Sequence, residues 1–263
     1  MVYNSNIHQV KFLKIKHFVI FITIVLCSSC KKEISRLSTI NALQVQVDST
    51  SIVVDSIENF ISPYRERVSE VMDAPLSYAP KTLTKVDGEL NTSAGNLLAD
   101  AILEQAAPIF KSKTGKSIDF AVFNHGGVRS TVSKGKVTTR TAYQVMPFEN
   151  RIAVVEMPGS AVLGMVRFLK QSGRAHPIAG MQIILDKDNS IQSVTINGKP
   201  FNENGTYYVA TSDYLVQGGD TMGFFKNRTN VQIMEYLVRN ALIDYFKEND
   251  TLKSQVDDRF IKL

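Results

Sequence analysis

The sequence predicts an α+β fold, in which mixed β-sheets pack against helices in layers. Short apolar segments with few polar positions, among them Asp119–Phe123 and Ile152–Met157, predict buried strands. Segments with apolar residues at helical spacing, such as Gly95–Phe110 and Ser160–Gln171, alternate with these strands. About 210 residues follow residue 50, which is enough for one domain with a sizeable core. Strands and helices intermixed along one such chain are typical of an α+β domain.

The first predicted element is a helix that ends near Met72. Ile57 and Ile61 lie one helical turn apart after the polar run 49–51, and this spacing favours a helix with an apolar face. Pro63 predicts a break or a kink within the helix, because proline has no N–H group and clashes with the preceding turn.

The middle of the chain is predicted to alternate strands with helices. A strand at Leu83–Val86 precedes the Gly95–Phe110 helix, for which Ser93 is the expected N-cap. Thr138–Tyr143 is expected to open a short helix or turn. Gly173 is expected to end the helix that precedes it.

The C-terminal part is expected to contain three strands and a long helix. The strands are predicted at 182–185, 193–196 and 207–211. Asn197-Gly198 is a favourable turn sequence after the second of them. The helix is predicted over Asn230–Lys247, because Ile233 and Leu237 begin a set of apolar residues at helical spacing.

Residues 1–29 resemble a bacterial lipoprotein signal peptide and are not expected to join the fold. Lysines precede an apolar run of about nine residues, Phe18–Leu26, which is too short to cross a bilayer as a helix. Small residues at 28–29 precede Cys30, the expected lipidated first residue of the mature chain. Cys27 departs from such signals, which usually carry leucine there. An uncleaved short anchor is the alternative.

Three segments are therefore expected: the signal peptide 1–29, a tether 30–50 and a domain 51–263. The tether is polar and rich in Lys, Ser, Thr and Gln, as flexible linkers are. The mature protein is expected to be lipid-anchored in the cell envelope, where it faces the periplasm or the cell surface.

Composition gives no support for binding of nucleic acid or metal by the mature domain. The net charge is +5, and loss of residues 1–29, with three lysines and no acid, leaves +2. The two cysteines both precede residue 31, which excludes a disulfide framework and a thiolate metal site after it. Of the four histidines, only His125 and His176 follow the signal peptide, too few for a two-metal site. Thr114–Ser117 resembles the end of a P-loop but lacks its first glycine. We expect no cofactor in this chain.

The segment Asn124–Arg129 reads Asn-His-Gly-Gly-Val-Arg and follows a predicted strand. Its two glycines can adopt positive φ and let a ligand approach the backbone. Arg129 offers a planar cation for a phosphate or carboxylate. Further along, Phe148 offers a flat apolar face and Asn150 an amide. Together these groups would suit a nucleotide, although the motif by itself also describes a β-turn with a surface arginine.

Four short motifs follow one another along the chain. They are Ser93–Ala101, Asn124–Arg129, Tyr143–Asn150 and Ser212–Asp220. In this order and spacing they resemble the C-terminal, substrate-binding domain of the 5'-nucleotidase / UDP-sugar hydrolase family, over roughly residues 80–250. The resemblance implies that family's fold and a role in nucleotide recognition.

The resemblance also implies which residues bind the substrate. Phe148 and Tyr214 correspond to two rings that sandwich the base, where stacking contributes about 1–3 kcal/mol per ring. Asp220 would accept hydrogen bonds from ribose hydroxyls, and Asn124 and Arg129 would reach the sugar–phosphate side. The other expected site residues are Gly126, Gly127, Asn150, Gly219 and Asn96, the last at a helix N-terminus that favours anions. Each role has a plain alternative: a core aromatic ring, a turn aspartate or a helix cap.

Two positions depart from the family's pattern. The family carries arginines near the start of this helix, whereas Gly88–Asn96 contains none and Glu89 adds a negative charge. His125 stands where glycine is common. These departures leave room for a nucleoside or another ligand.

The family's full-length enzymes hydrolyse phosphoesters with a two-metal N-terminal domain, and this chain carries none of its metal-binding motifs. We therefore expect no catalytic residue here and no hydrolysis by the chain alone. The first hypothesis is the specificity half of a split 5'-nucleotidase, with divalent metals on a separate metallophosphoesterase chain. The second is a non-catalytic nucleotide- or nucleoside-binding envelope lipoprotein, which the missing arginines favour. The third, a scaffold for another envelope protein, conflicts with the intact binding motifs.

Overall fold

The structure is a computed structural model that describes residues 15–24, 37–46, 48 and 52–263. It divides into two compact units, Met1–Val54 and Asp55–Leu263. In the first unit, residues 15–24 are helical (α1), and the described part of 37–54 is exposed without regular secondary structure. Cys30 and the expected helix start at 49–51 lie outside the described residues. No helix within the described ranges is both long and apolar enough to cross a membrane.

The second unit confirms the α+β class with mixed sheets. Its helices are α2 (Asp55–Asp73), α3 (Ser93–Thr114), α4 (Thr139–Val145), α5 (Gly159–Ser172), α6 (Asp213–Val216) and α7 (Val238–Glu248). Its strands are β1 (Pro75–Ala79), β2 (Phe120–Val122), β3 (Gly135–Thr138), β4 (Arg151–Pro158), β5 (Ile178–Ala179), β6 (Met181–Leu185), β7 (Ile191–Ile196), β8 (Lys199–Pro200), β9 (Thr206–Ser212), β10 (Asn230–Leu237) and β11 (Phe260–Lys262).

The strands form a five-stranded sheet in the order β10-β4-β9-β2-β5, a four-stranded sheet in the order β11-β6-β7-β8, and the pair β1-β3. The central strand β2 is apolar and fully buried, and its neighbours β9 and β4 are mostly buried, because helices cover the sheet. Leu98 and Ile102 of α3 pack into the same core as Phe120 of β2. Burial of such side chains stabilises the fold by roughly 1.5–3 kcal/mol each.

The topology brings three connections to one edge of the five-stranded sheet. Strands β2 and β9 are parallel, so the residues that follow them, from 123 and from 213 onward, emerge at the same edge. Strand β4 is antiparallel to β9, with Ile152 opposite Ser212, so the segment that precedes β4 arrives there too. The sequence motifs expected to bind a ligand lie in these three connections.

Several predicted boundaries were wrong. Asn230–Lys247 is not one helix, because its first part pairs with β4 as strand β10 and only Val238–Glu248 is helical. Leu83–Val86 is not a strand, since Leu83 forms only an isolated bridge with Val132. The helix α2 runs from Asp55 to Asp73 across Pro63 without a break.

The N-cap of α3 also differs from the expectation. Thr92 is the N-cap, and its hydroxyl accepts a hydrogen bond from the Gly95 N–H at 3.2 Å. Ser93 is the first helical residue. Gly115 ends the helix with φ 73°, a left-handed conformation that favours glycine.

Candidate functional site

A cavity of about 260 Å³ lies at the sheet edge where the three connections meet. It is lined by eight of the ten residues expected from the sequence: Asn124, Gly126, Gly127, Arg129, Phe148, Asn150, Tyr214 and Asp220. Four lining residues were not expected: Phe123, Met146, Ser212 and Val238. Phe123, Met146 and Ser212 lie within or next to the sequence motifs. Val238 is the first residue of α7, and no sequence motif pointed to it.

The Asn124–Gly127 turn forms one wall of the cavity. The Asn124 amide nitrogen donates a hydrogen bond to the Asp220 carboxylate at 2.7 Å, which joins two of the connections. A Cβ on Gly127 would lie 2.8 Å from the Asn124 amide oxygen, and one on Gly126 would lie 3.5 Å from the Asp220 carboxylate. Neither glycine has a positive φ. Close approach, and not backbone freedom, therefore requires glycine at position 127.

Phe148 and Tyr214 are half-exposed rings on the cavity wall and not core residues. Their exposed fractions are 40% and 46%. Gly219 does not line the cavity, but it lies against Tyr214: a Cβ on Gly219 would come within 2.4 Å of the Tyr214 ring. Gly219 is therefore required for the position of this ring.

Arg129 places a cation at the same wall. Its guanidinium lies 5.8 Å from the centroid of the Phe148 ring, within cation–π range. One of its nitrogens donates to the Gly126 carbonyl at 3.3 Å. The remaining donors of the guanidinium are suited to an anion.

Asp220 is held in an uncommon backbone conformation. Its φ is 54°, and Thr221 beside it has φ 62°. Side chains other than glycine rarely adopt this left-handed region, although aspartate tolerates it better than most. In this conformation the carboxylate accepts the hydrogen bond from the Asn124 amide.

Asn96 lies away from the cavity. It is buried, and its amide nitrogen donates to the Asn91 side chain and to the Gln255 carbonyl, both at 2.8 Å. The helix N-terminus near it is occupied by the chain itself, because the Asp87 carboxylate accepts hydrogen bonds from the Ser93 N–H at 3.0 Å and from the Ser93 hydroxyl. An anion would compete there with Asp87, and Asn96 instead holds the C-terminal segment against α3.

His176 supports the backbone of the Asn124–Gly127 turn. It is buried, and its Nδ1 accepts a hydrogen bond from the His125 N–H at 3.2 Å. Its Nε2 lies 2.8 Å from the Ser172 hydroxyl. Since Nδ1 accepts, the neutral ring carries its proton on Nε2 and donates to Ser172. Burial, together with nearby His125, lowers the pKa of His176 to about 4, so the ring is neutral near pH 7.

Arg239 supports the segment that carries Phe148, and nothing in the sequence pattern singled it out. Its side chain is buried, and one nitrogen donates to the Pro147 carbonyl at 3.1 Å and the Phe148 carbonyl at 3.4 Å. The guanidinium also lies 4.1 Å from the centroid of the Tyr143 ring. Arg239 thus fixes the backbone that carries the Phe148 ring.

The chemistry of the site is that of binding. Two rings, an arginine, an amide and a carboxylate surround an apolar cavity, an arrangement that suits a ligand with a flat ring, hydroxyls and an anionic group. Among the residues that the structure describes, no group of three or more His, Cys, Asp or Glu side chains could hold a metal ion.

Comparison with known proteins identifies the domain. A family model described as "5'-nucleotidase, C-terminal domain" matches residues 78–227. A 5'-nucleotidase from Vibrio cholerae is 25% identical over 203 residues, which cover 73% of this chain and 34% of that protein. Protein UshA from Yersinia enterocolitica is 33% identical over 133 residues, or 49% of this chain and 22% of that protein.

The solved structures agree in fold. The 5'-nucleotidase precursor from Thermus thermophilus aligns with a TM-score of 0.65 at 20% identity, over 80% of this chain and 43% of that one. This chain thus spans 34% of the Vibrio cholerae relative and 43% of the solved structure. Because the family match covers more than half of the residues and the fold agrees, the chain belongs to the family of 5'-nucleotidase C-terminal domains.

Proposed function

We propose that this chain recognises a nucleotide or nucleoside as the substrate-specificity half of a split 5'-nucleotidase. A separate metallophosphoesterase chain would supply the divalent metals and the attacking water. The observation that carries the proposal is the cavity at the sheet edge, where two half-exposed rings, Phe148 and Tyr214, lie with Arg129 and the Asn124–Asp220 pair. The names of the relatives, which are 5'-nucleotidases, support the choice of ligand class.

Each part of a nucleotide has a suitable partner in the cavity. The base would stack against Phe148 and Tyr214, since every base has a π-face. The Asp220 carboxylate, oriented by the Asn124 amide, has further lone pairs that would accept hydrogen bonds from ribose hydroxyls. Arg129 would bind the phosphate.

A non-catalytic nucleotide- or nucleoside-binding function is the second candidate. It is favoured by the helix N-terminus of α3, where the Asp87 carboxylate already accepts a hydrogen bond from the Ser93 N–H and would compete with a phosphate. The two candidates differ in the effect of this chain on a partner. Phosphate release from AMP by a purified metallophosphoesterase should increase when this chain is added. No increase would favour the second candidate, and release by this chain alone with Mn²⁺ or Zn²⁺ would contradict the split arrangement.

Arg129→Ala is expected to weaken AMP binding by about 10- to 150-fold and adenosine binding much less. The variant removes a charge-assisted hydrogen bond worth about 1.5–3 kcal/mol that only the phosphorylated ligand makes. Calorimetric titration of both ligands measures the difference. Arg167→Ala is the matched control, because it removes an exposed arginine outside the cavity. Equal losses for AMP and adenosine would show that Arg129 does not bind phosphate.

We further propose that the mature chain is anchored to a membrane through a lipid on Cys30. The short apolar run followed by small residues and cysteine supports this proposal. Cys30→Ala is expected to abolish palmitate labelling and to release the protein from the membrane fraction, whereas Cys27→Ala should retain both. Membrane retention by Cys30→Ala would instead indicate an uncleaved N-terminal anchor.

A further inference from the structure

Helix α2 carries an exposed apolar stripe, which we define as Ile57, Ile61, Tyr64, Val68 and Val71. These residues are spaced alternately four and three positions apart, the spacing of the core positions in coiled coils. Their exposed fractions lie between 36% and 65%, and no residue of α2 is buried. A helix of this composition normally covers such a stripe.

The partly covered residues of α2 lie outside the stripe. The partly covered residues of α2 are Glu58, Ser62, Ser69 and Met72. Near its C-terminal end α2 contacts α4, and Asp73 accepts a hydrogen bond from the Arg140 guanidinium at 2.9 Å. The contact with α4 therefore involves the C-terminal end of α2, and the stripe stays exposed.

The charges of α2 favour a protein partner over a membrane surface. The helix contains five acidic residues and two arginines, a net charge of −3. Helices that lie on membranes carry lysine and arginine on the polar face, because the lipid surface is anionic. An acidic helix would be repelled by such a surface.

We infer that two copies of this chain associate through antiparallel pairing of their α2 helices. Four of the five stripe residues are self-complementary about a two-fold axis between Ser62 and Pro63, and Val71 falls opposite position 54, before the helix begins. In this register Ile61 packs against the partner's Tyr64, and the same rule brings Ile57 against Val68 of the partner subunit. A two-fold axis uses one surface on both copies and closes the assembly at a dimer.

The flanking charges select the antiparallel orientation. In this register Glu58 is level with position 67 of the partner, and the partner's Arg65, on the same flank of the stripe, lies about 3 Å from that level along the helix axis. This pair of opposite charges occurs twice in the dimer. Within one copy these two side chains already form an ion pair along the helix edge, so both point to the same side of the stripe. In a parallel pair, the opposite flanks of the two stripes would meet. Phe60 would then lie beside the partner's Arg65, and no acidic side chain would lie beside a basic one. A helix of 19 residues is about 28 Å long, so the interface is small and the dimer is expected to be reversible.

Sedimentation equilibrium of the full-length chain in detergent tests the association. The wild-type chain and Asn59→Glu, an exposed position on the opposite side of α2, are expected to dimerise at about 200 µM, a concentration suited to a small interface. Ile61→Glu is expected to weaken dimerisation at least tenfold while the melting temperature stays unchanged. A wild-type chain that stays monomeric, or an Ile61→Glu chain that dimerises equally well, would overturn the inference.

Disulfide formation tests the orientation. In a Cys27→Ser, Cys30→Ser background, an Ile57→Cys chain and a differently tagged Val68→Cys chain are expected to cross-link when mixed. Neither variant should cross-link when alone, because the antiparallel register separates identical positions. Efficient cross-linking of Ile57→Cys with itself would show a parallel pair and overturn the proposed register. The stripe would instead be assigned to a membrane if the monomer sedimented with phosphatidylglycerol vesicles and the Ile61→Glu variant did not.

Discussion

Phe148→Ala and Tyr214→Ala are each expected to weaken adenosine binding by about 5- to 150-fold. Each substitution removes one of the two rings that we propose to stack on the base, and base stacking on a ring contributes about 1–3 kcal/mol. The effect should be similar for AMP and adenosine, because the base is common to both. Isothermal titration calorimetry on wild type, the single variants and the double variant measures it.

The matched control for this prediction is Tyr78→Ala. Tyr78 is exposed to 45%, almost the same as Tyr214, but it lies on β1 outside the cavity. Its removal should leave adenosine binding unchanged. If the two cavity variants bind as tightly as Tyr78→Ala, the rings do not form a base clamp, and the scaffold hypothesis gains support.

Arg239→Met is expected to lower both the free energy of unfolding and the affinity for adenosine. The variant leaves the Pro147 and Phe148 carbonyls without their charged donor, and a hydrogen bond to a charged group contributes about 1.5–3 kcal/mol. It also frees the turn that carries the Phe148 ring, so we expect roughly tenfold weaker adenosine binding. Arg239→Lys keeps a donor and should recover part of the affinity.

A destabilising substitution elsewhere on α7 shows whether Arg239 acts by positioning Phe148 or only by stabilising the fold. Leu242→Ala lies on the same helix, is fully buried and should cost about 2–5 kcal/mol of unfolding free energy. Below its melting temperature this variant should bind adenosine normally. If Leu242→Ala and Arg239→Met lose affinity in proportion to their stability, Arg239 has no specific role in placing Phe148.

The fold class could be predicted from the sequence because the buried strands and amphipathic helices are locally distinct. The error at Asn230–Lys247 shows the limit. Ile233 and Leu237 fit a helical period, but pairing of this segment with β4 decides its conformation, and a single sequence does not show that pairing. The short strands β1, β3 and β11 were missed for the same reason, since each depends on a distant partner.

The cavity residues could be predicted because they belong to motifs in a fixed order. The residues beneath the cavity could not. Arg239 reaches the Pro147 carbonyl from a position 92 residues further along, and His176 reaches the His125 N–H across 51 residues. Asn96 carried a motif signal, yet it contacts Asn91 and Gln255, because the C-terminal segment crosses the start of α3.

The left-handed backbone at Asp220 lowers the stability of the fold, whereas its side chain serves the proposed ligand binding. Glycine would adopt this conformation without steric strain, whereas only an acid supplies the carboxylate that meets Asn124. A laboratory evolution scheme that selects for heat resistance alone would therefore enrich Asp220→Gly, and the selected proteins would have lost the carboxylate that we propose to bind ribose. Stabilised versions of this domain should be sought at other positions, with ligand retention included in the selection.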